Sequence, residues 1–247
     1  LAAKRLERAQ MLGFASHAEY TVAERMASSP ENITAFLKDL LGKARPAAVR
    51  EAEDLKEFAS RELGLTNLQR WDIAYVTERY KLAKLDFDDA VTKPYFPLPR
   101  VEEWVFDLAK RLYGLEVKPA PHNPSYHADA QAWEVWDSSA AFVAHLTTDW
   151  HPRKGKRAGA WMTSYRSAHT DASGREVRPV VSLVGNFSKP SAGAPALLTF
   201  NEVLTLFHEF GHGLHGMLGK GSYASLTGTS VRWDFVELPS QIMENWC

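Results

Sequence analysis

The segment His208-Glu-Phe-Gly-His212 is the feature that most constrains this chain. In an α-helix, side chains four residues apart lie on one face with their Cβ atoms about 5–6 Å apart, so both imidazoles can reach one metal ion. Glu209 lies about 100° around the helix axis and flanks that ion. Zinc held by three protein ligands keeps a fourth position for water and lowers the pKa of that water toward about 7. The pattern therefore predicts a zinc hydrolase in which Glu209 takes the proton.

The residues around this motif favour a helix. Thr199-Phe-Asn-Glu202 matches a capping box, which satisfies backbone N–H groups at a helix start. Helical spacing of apolar side chains predicts a buried stripe at Val203, Phe207, Phe210, Leu214 and Met217. Gly211, Gly213 and Gly216 would each weaken a helix by about 1 kcal/mol relative to Ala. We therefore expect other segments to pack closely against the backbone at these three positions.

The third ligand lies outside the motif, and the sequence narrows the candidates. A metzincin would have a histidine six residues after His212, where this chain has Leu218. His215 lies three residues after His212 and leans off the shared face, which favours a polar surface or substrate-cleft role. An aspartate ligand in a Gly-Thr-x-x-Asp pattern fails too, because Gly228-Thr229 is followed by Arg232 at that position.

A second helix, predicted between Trp233 and Trp246, carries the remaining acidic candidates: Asp234, Glu237 and Glu244. Glu237 lies 25 positions after His212, a usual separation for a glutamate ligand. Asp234 precedes Glu237 by three residues and Gln241 follows it by four. On a continuous helix both would lie near the face of Glu237 and could orient it.

Two blocks in this region are more specific than the zinc motif: Asp234-Phe-Val-Glu-Leu-Pro-Ser-Gln241 and Met243-Glu-Asn-Trp246. Upstream segments add to them: Lys93-Pro-Tyr-Phe96, Gly159-Ala-Trp-Met162 and Pro179-Val-Val-Ser-Leu183. With these segments the chain resembles the thimet oligopeptidase family over most of its length. Leu226-Thr-Gly-Thr-Ser230 and Ile242-Met-Glu-Asn-Trp246 are most similar to its bacterial peptidyl-dipeptidase branch.

This resemblance implies a zincin-type helical peptidase of the oligopeptidase or peptidyl-dipeptidase type, acting on short peptides. It implies that His208, His212 and Glu237 bind one zinc ion per chain. It also implies that Glu209 is the general base. Family members use Tyr and His groups of a Gly- and Tyr-rich loop, well downstream of the glutamate ligand, for the oxyanion. No stretch of residues 1–247 resembles that loop. The chain begins at Leu1 and not at Met, so we expect an interior piece of a longer protein.

The apolar periodicity predicts a mainly α fold. Residues 1–114 are interpreted as a helical scaffold portion, with helices ending at Gly64 and Gly114, and residues 115–247 as the catalytic portion. Segments rich in β-formers predict a small antiparallel β-sheet beside the metal helix: Gln131–Asp137, Ala140–Trp150, Gly159–Arg166 and Val177–Phe187. We expect the strand at Val180–Val184 to offer backbone groups to an extended peptide. The cationic run 153–157 is interpreted as a solvated loop.

Composition limits the other partners. The chain has 29 Lys and Arg against 30 Asp and Glu, a net charge of −1, which argues against nucleic acid or an anionic membrane. No apolar run approaches the ~18 residues of a membrane span. A single cysteine, Cys247, favours a reducing compartment, so we expect a cytoplasmic protein, with the periplasm left open. The oligomeric state is not predicted.

Two other interpretations remain open. A helical scaffold or peptide-binding module could hold a structural zinc, with a closed fourth coordination position and a dispensable Glu209. A zinc hydrolase could also act on a non-peptide amide, which only a panel of substrates would distinguish. The remaining histidines lack ligand spacing to the motif and are expected to be structural or exposed: His17, His122, His127, His145, His151 and His169.

Overall fold

A computed structural model describes residues 1–86, 88–191 and 193–247. The chain forms two compact units, Leu1–Val91 and Thr92–Cys247. The second unit includes the helix at residues 98–113. The division by compactness thus lies before this helix, whereas the functional division proposed from sequence lies after it, at residue 114.

The first unit is helical. Its helices are α1 (Ala2–Met11), α2 (His17–Val22), α3 (Pro30–Leu63) and α4 (Ile73–Leu85). The side chain of Ser29 caps the start of α3 by accepting a hydrogen bond from the backbone N–H of Asn32. Gly64, at φ 68°, ends α3 as its position predicts. Phe58 and Ala59 of α3 form a small core with Val76 of α4.

The second unit combines helices with a small sheet. Together with the helices of the first unit, this confirms the expected mainly α fold. Its helices are α5 (Leu98–Tyr113), α6 (Phe200–Leu218) and α7 (Leu238–Glu244). Its strands are β1 (Glu116–Pro119), β2 (Gln131–Trp136), β3 (Phe142–Asp149), β4 (Trp161–Arg166), β5 (His169–Thr170), β6 (Glu176–Val177) and β7 (Val180–Val184). Short 3₁₀ helices occur at Asp89–Tyr95 and Ala224–Leu226. Among the described residues, no helix is both long and apolar enough to span a membrane.

The main sheet has five strands in the order β1-β2-β3-β7-β4. Three of its four pairings are antiparallel, but β3 and β7 run parallel, with Leu146 opposite Val181. The sheet is therefore mixed, and the prediction of a wholly antiparallel sheet is wrong in this pairing. The reason is topological: β4 runs opposite to β3, and β7 then reverses again and inserts between them.

The position of β7 also bears on the predicted pairing of this strand with a peptide. Because β7 lies between β3 and β4, both of its edges are hydrogen-bonded within the sheet. The prediction that Val180–Val184 offers free backbone groups to a peptide is therefore wrong. The outer strand on this side of the sheet is β4.

Helix α6 begins with the predicted capping box. Thr199 Oγ1 accepts a hydrogen bond from the backbone N–H of Glu202, and a carboxylate oxygen of Glu202 accepts from the backbone N–H of Thr199 at 2.8 Å. The predicted apolar stripe of α6 is fully buried. Burial of each such side chain contributes about 1.5–3 kcal/mol. The stripe therefore fixes the rotation of α6 and with it the direction of both motif histidines.

The glycines of α6 allow the close packing that the sequence predicts. A Cβ atom built on Gly213 would lie 3.0 Å from a methyl carbon of Leu183 in β7. A Cβ atom built on Gly211 would lie 2.5 Å from the carbonyl oxygen of Pro239, in the first turn of α7. Helix α6 thus lies between the sheet and α7. The absence of a side chain at Gly213 and at Gly211 allows the sheet and α7, respectively, to approach α6 closely.

The cationic loop after β3 is not simply solvated, contrary to expectation. Lys156 Nζ and Arg153 Nη1 donate hydrogen bonds to Asp149 Oδ1 at 2.9 and 2.8 Å. The side chains of Asp149 and Lys156 are only 1% and 3% exposed. Tyr126 donates a further hydrogen bond to Asp149. The buried carboxylate requires opposite charge, which draws two of the loop's cations inward.

Candidate metal centre

Three side chains from two helices meet at one point. His208 and His212 lie on α6, and Glu237 lies directly before α7. Glu237 Oε2 is 3.3 Å from His208 Nε2 and 3.1 Å from His212 Nε2. All three potential ligand atoms lie within 4.8 Å of one another, so they could hold one metal ion. Burial lowers the pKa of His212, which favours its neutral, ligating form.

Glu237 occupies the N-cap of α7, so the predicted helix begins later than expected. Pro239 lies in the first turn of α7, a position that proline favours at helix starts. Asp234 therefore lies before the helix and does not share a helix face with Glu237. The Glu237 carboxylate instead accepts a hydrogen bond from Ser240 Oγ at 2.7 Å. This bond, together with the two histidines, holds the pKa of Glu237 below its usual value, although burial opposes the shift.

Glu244 has a role that sequence reasoning missed. Its Oε1 lies 2.7 Å from Nδ1 of His208. A carboxylate accepts hydrogen bonds, so this contact favours the imidazole tautomer with its proton on Nδ1 and leaves Nε2 free for a metal. The spacing could have revealed it, because Glu244 lies seven residues, about two helical turns, after Glu237. Two carboxylates so spaced can both face α6.

Glu209 is buried beside the three potential ligands. Its Oε2 has no hydrogen-bond partner among the residues that the structure describes. Burial raises the pKa of Glu209 to about 7, an effect that His208 opposes and the charge of Glu237 reinforces. A buried, unpaired carboxylate oxygen is costly in a folded protein and requires an explanation in terms of function or an absent partner.

A cavity of about 580 Å³ adjoins this cluster. His208, Glu209, His212 and Glu237 line one part of it. The other walls come from the start of β4 and from the segment before α7: Ala160, Trp161, Met162, Thr229, Val231, Trp233 and Val236. The walls next to the cluster are thus largely apolar, and Glu209 is part of the cavity lining.

The other histidines lie apart from this cluster. His215 does not join it, and its ring packs 6.3 Å from that of Phe235. Five of the others form hydrogen bonds elsewhere: His122, His127, His145, His151 and His169. His17 packs 6.2 Å from Tyr20 in the first unit. Their expected structural roles fit these contacts.

The chain is similar in sequence to several known proteins. The chain is 42% identical over 246 residues to oligopeptidase A of Escherichia coli (strain K12), covering 99% of this chain and 36% of that protein. It is 38% identical over 243 residues to dipeptidyl carboxypeptidase of the same strain, covering 98% and 35%. It is 32% identical over 254 residues to saccharolysin of Saccharomyces cerevisiae (strain ATCC 204508 / S288c), covering 97% and 36%.

Two points follow from these matches. The chain spans about a third of the length of the curated relatives it matches. Identity is higher to oligopeptidase A than to dipeptidyl carboxypeptidase, so these two matches do not favour the peptidyl-dipeptidase branch that the sequence blocks suggest. The sequence model of the family described as Peptidase family M3 matches residues 1–247. The chain therefore belongs to peptidase family M3.

Proposed function

We propose that this chain carries the catalytic centre of a zinc-dependent peptidase, with His208, His212 and Glu237 binding one zinc ion. Two nitrogens and one carboxylate oxygen are a donor set that catalytic zinc uses. Ligands bound to tetrahedral zinc at 2.0–2.2 Å lie about 3.3–3.6 Å apart. The separation of 3.3 Å from Glu237 Oε2 to His208 Nε2 lies in that range, and the separation of 3.1 Å to His212 Nε2 is slightly shorter.

The observation that carries the proposal is the free carboxylate oxygen of Glu209. This Oε2 atom is buried and unpaired among the described residues, and the residue Glu209 lines the cavity beside the proposed ligands. Bound zinc supplies Lewis-acid chemistry, which acidifies water and polarises a peptide carbonyl. Glu209 accepts the proton of the attacking water on its carboxylate and passes it to the leaving amine. Glu244 keeps His208 in the tautomer that this chemistry requires.

We propose short peptides as substrates. The matched relatives include proteins named oligopeptidase A and dipeptidyl carboxypeptidase. Trp161 and Met162 of β4 line the cavity, and β4 is one of the two outer strands of the main sheet. An extended peptide can therefore add to β4 through backbone hydrogen bonds while its scissile bond lies near Glu209. We therefore propose that β4, and not β7, forms backbone hydrogen bonds with the peptide.

A structural zinc in a scaffold or peptide-binding module is less consistent with this site. Structural zinc sites are closed by four protein ligands. Here three ligand atoms adjoin a cavity of about 580 Å³, and the group next to them is an unpaired carboxylate. The cytoplasmic location remains a prediction from the sequence.

Glu209→Gln in the full-length protein tests the proposal. The change removes the base and keeps the three ligands, so zinc content should stay normal while peptide turnover falls at least about 10²-fold. Glu202→Gln is the matched control on the same helix, since glutamine also serves in a capping box. It should retain turnover close to the unmodified protein. Unchanged turnover in Glu209→Gln at full zinc occupancy would refute the proposed role.

A further inference from the structure

The unit Thr92–Cys247 contains a second cavity, of about 640 Å³. It shares no lining residue with the cavity at the metal centre. Its apolar walls include Leu98, Phe106, Val117, Trp133 and Trp150. Its polar lining includes Glu102, Glu103, Asp129, Thr148 and His151. The proposed peptidase chemistry uses none of these residues.

Glu102 is the unusual residue of this cavity. It lies on α5 and is only 8% exposed. Its Oε1 accepts a hydrogen bond from the indole N–H of Trp150 at 2.7 Å, and the nearby hydroxyl of Thr148 favours its ionised form and acts to lower its pKa. Thr148 in turn accepts a hydrogen bond from the indole N–H of Trp133 at 3.0 Å. The carboxyl group thus lies in the cavity wall and its hydrogen-bond donor Trp150 is neutral.

Glu102 has no charged partner among the residues that the structure describes. Burial raises the pKa of Glu102, and the charge of Glu103 adds to this, while the hydrogen bond from Trp150 and the hydroxyl of Thr148 oppose it. Asp129, also in the lining, already pairs with Lys189 at 2.7 Å. The cavity therefore holds a buried carboxyl group without a counter-ion beside aromatic walls.

We propose that this cavity binds an alkylguanidinium or alkylammonium group, the chemistry of an arginine or lysine side chain. A buried carboxylate is stabilised most by a cation that also forms hydrogen bonds with it. Indole rings attract such cations, and Trp133 and Trp150 both line this cavity, whose apolar walls accommodate an alkyl stem. A guanidinium binds better than an ammonium here, because it is planar, more weakly hydrated and stacks on aromatic rings.

The cation has two conceivable sources with the same chemistry. It is either a free small molecule or a basic residue of a peptide that the protein also holds elsewhere. The cavity is distinct from the metal centre, so binding can be measured without catalysis. Failure of this proposal would leave the proposed peptidase function intact.

Calorimetric titration of the full-length protein with n-butylguanidinium tests the proposal. The neutral isostere n-butylurea should bind at least about tenfold more weakly, because it cannot neutralise Glu102. Glu102→Gln keeps a hydrogen-bond acceptor for Trp150 but removes the charge, and it should weaken n-butylguanidinium binding at least about tenfold. Glu176→Gln removes an exposed carboxylate outside this cavity and should leave binding unchanged.

A second variant keeps the test decisive if Glu102→Gln does not fold. Glu103→Gln changes an exposed residue of the same lining and should weaken binding about two- to threefold, as expected for a partly screened charge. No n-butylguanidinium binding, or equal binding of n-butylguanidinium and n-butylurea, would overturn the proposal. Equal binding by the unmodified protein and a folded Glu102→Gln variant would overturn it as well.

Peptide kinetics distinguish the two sources. Paired peptides that differ only by arginine and its neutral analogue citrulline are compared for KM and kcat. A lower KM for the arginine peptide, lost in Glu102→Gln with kcat unchanged, identifies a basic residue of a peptide as the occupant. Equal KM values with n-butylguanidinium still bound identify a free small cation. Both results support the cavity as a cation site.

Discussion

The proposed metal centre includes two carboxylates near residue 240 that have different partners. Glu237 faces the Nε2 atoms of both motif histidines, whereas Glu244 contacts Nδ1 of His208 on the far side of the ring. A ligand and an orienting group differ in what their loss does. Loss of a ligand removes a bond to the metal, and loss of an orienting group leaves the bond but releases the ring.

Alanine substitutions should separate these two roles. Glu237→Ala should abolish stable zinc binding, and Glu244→Ala should weaken zinc affinity about 10–100-fold, the usual effect of losing an orienting partner. Glu244→Gln should restore part of that loss, since its amide oxygen can still accept from Nδ1–H. Competition with a chelator measures each affinity in the full-length protein. If Glu244→Ala strips the metal while Glu237→Ala retains it, the two assignments are reversed.

At the scale of elements, the site depends on how closely α7 approaches α6. Gly211 lies between the two histidines in sequence, and its missing side chain leaves room for the backbone of Pro239 and Ser240. That contact places Glu237 and Glu244 opposite α6. The approach of two helices, rather than the helix bearing the motif alone, therefore sets the ligand geometry.

Gly211→Ala should destabilise the protein despite the better helix propensity of alanine. The new methyl group would lie 2.5 Å from the Pro239 carbonyl oxygen and 2.7 Å from Ser240 Cα, both backbone atoms, so α7 must move. We expect a loss of about 1–3 kcal/mol in stability, as for other overpacked sites, together with weaker zinc binding.

Gly42→Ala on α3 is the matched control for this substitution. Apart from the neighbouring backbone of α3, no atom of the described residues lies within 4 Å of a Cβ built on Gly42, so alanine should stabilise the protein by up to about 1 kcal/mol. Urea denaturation and zinc titration of both variants make the comparison. Equal stability changes in the two variants would contradict the packing argument.

At the scale of the whole molecule, the ion cluster around Asp149 links distant parts of the second unit. Asp149 ends β3, Arg153 and Lys156 follow in the next loop, and Tyr126 comes from the segment before β2. Burial would raise the pKa of Asp149, but hydrogen bonds from Arg153, Lys156 and Tyr126 outweigh it and lower the pKa to about 2. The cluster thus contributes to stability only while Asp149 is ionised.

The sign of the pH dependence follows from that shift. The pKa of Asp149 is about 2 when folded and about 3.9 when unfolded, so its contribution is complete above about pH 4. It is lost as the pH falls from about 4 through 2, and it amounts to on the order of 2 kcal/mol. Asp149→Asn should lower stability at pH 7 and flatten this part of the profile. Urea denaturation from pH 2 to 7 measures both, and parallel profiles would contradict the prediction.

Much of the site was predictable because its signals are local. His208, Glu209 and His212 lie within one turn and a half of helix, and helical periodicity alone puts them on adjoining faces. The same short segment contains the residues of the buried stripe and of the capping box, and also Gly211, where close packing requires glycine. Four strands of the main sheet were also placed approximately, since alternating β-formers mark them individually.

Contacts between residues that are distant in sequence could be identified only from the tertiary structure. Glu244 contacts a histidine 36 residues earlier, Lys156 turns inward because Asp149 is buried, and β7 inserts between strands that precede it. Periodicity reports which face of an element is apolar, but it does not record which element packs there or in which direction a strand pairs. The identity of the chemical groups was therefore fixed locally, whereas their partners were selected by the packing of the whole second unit.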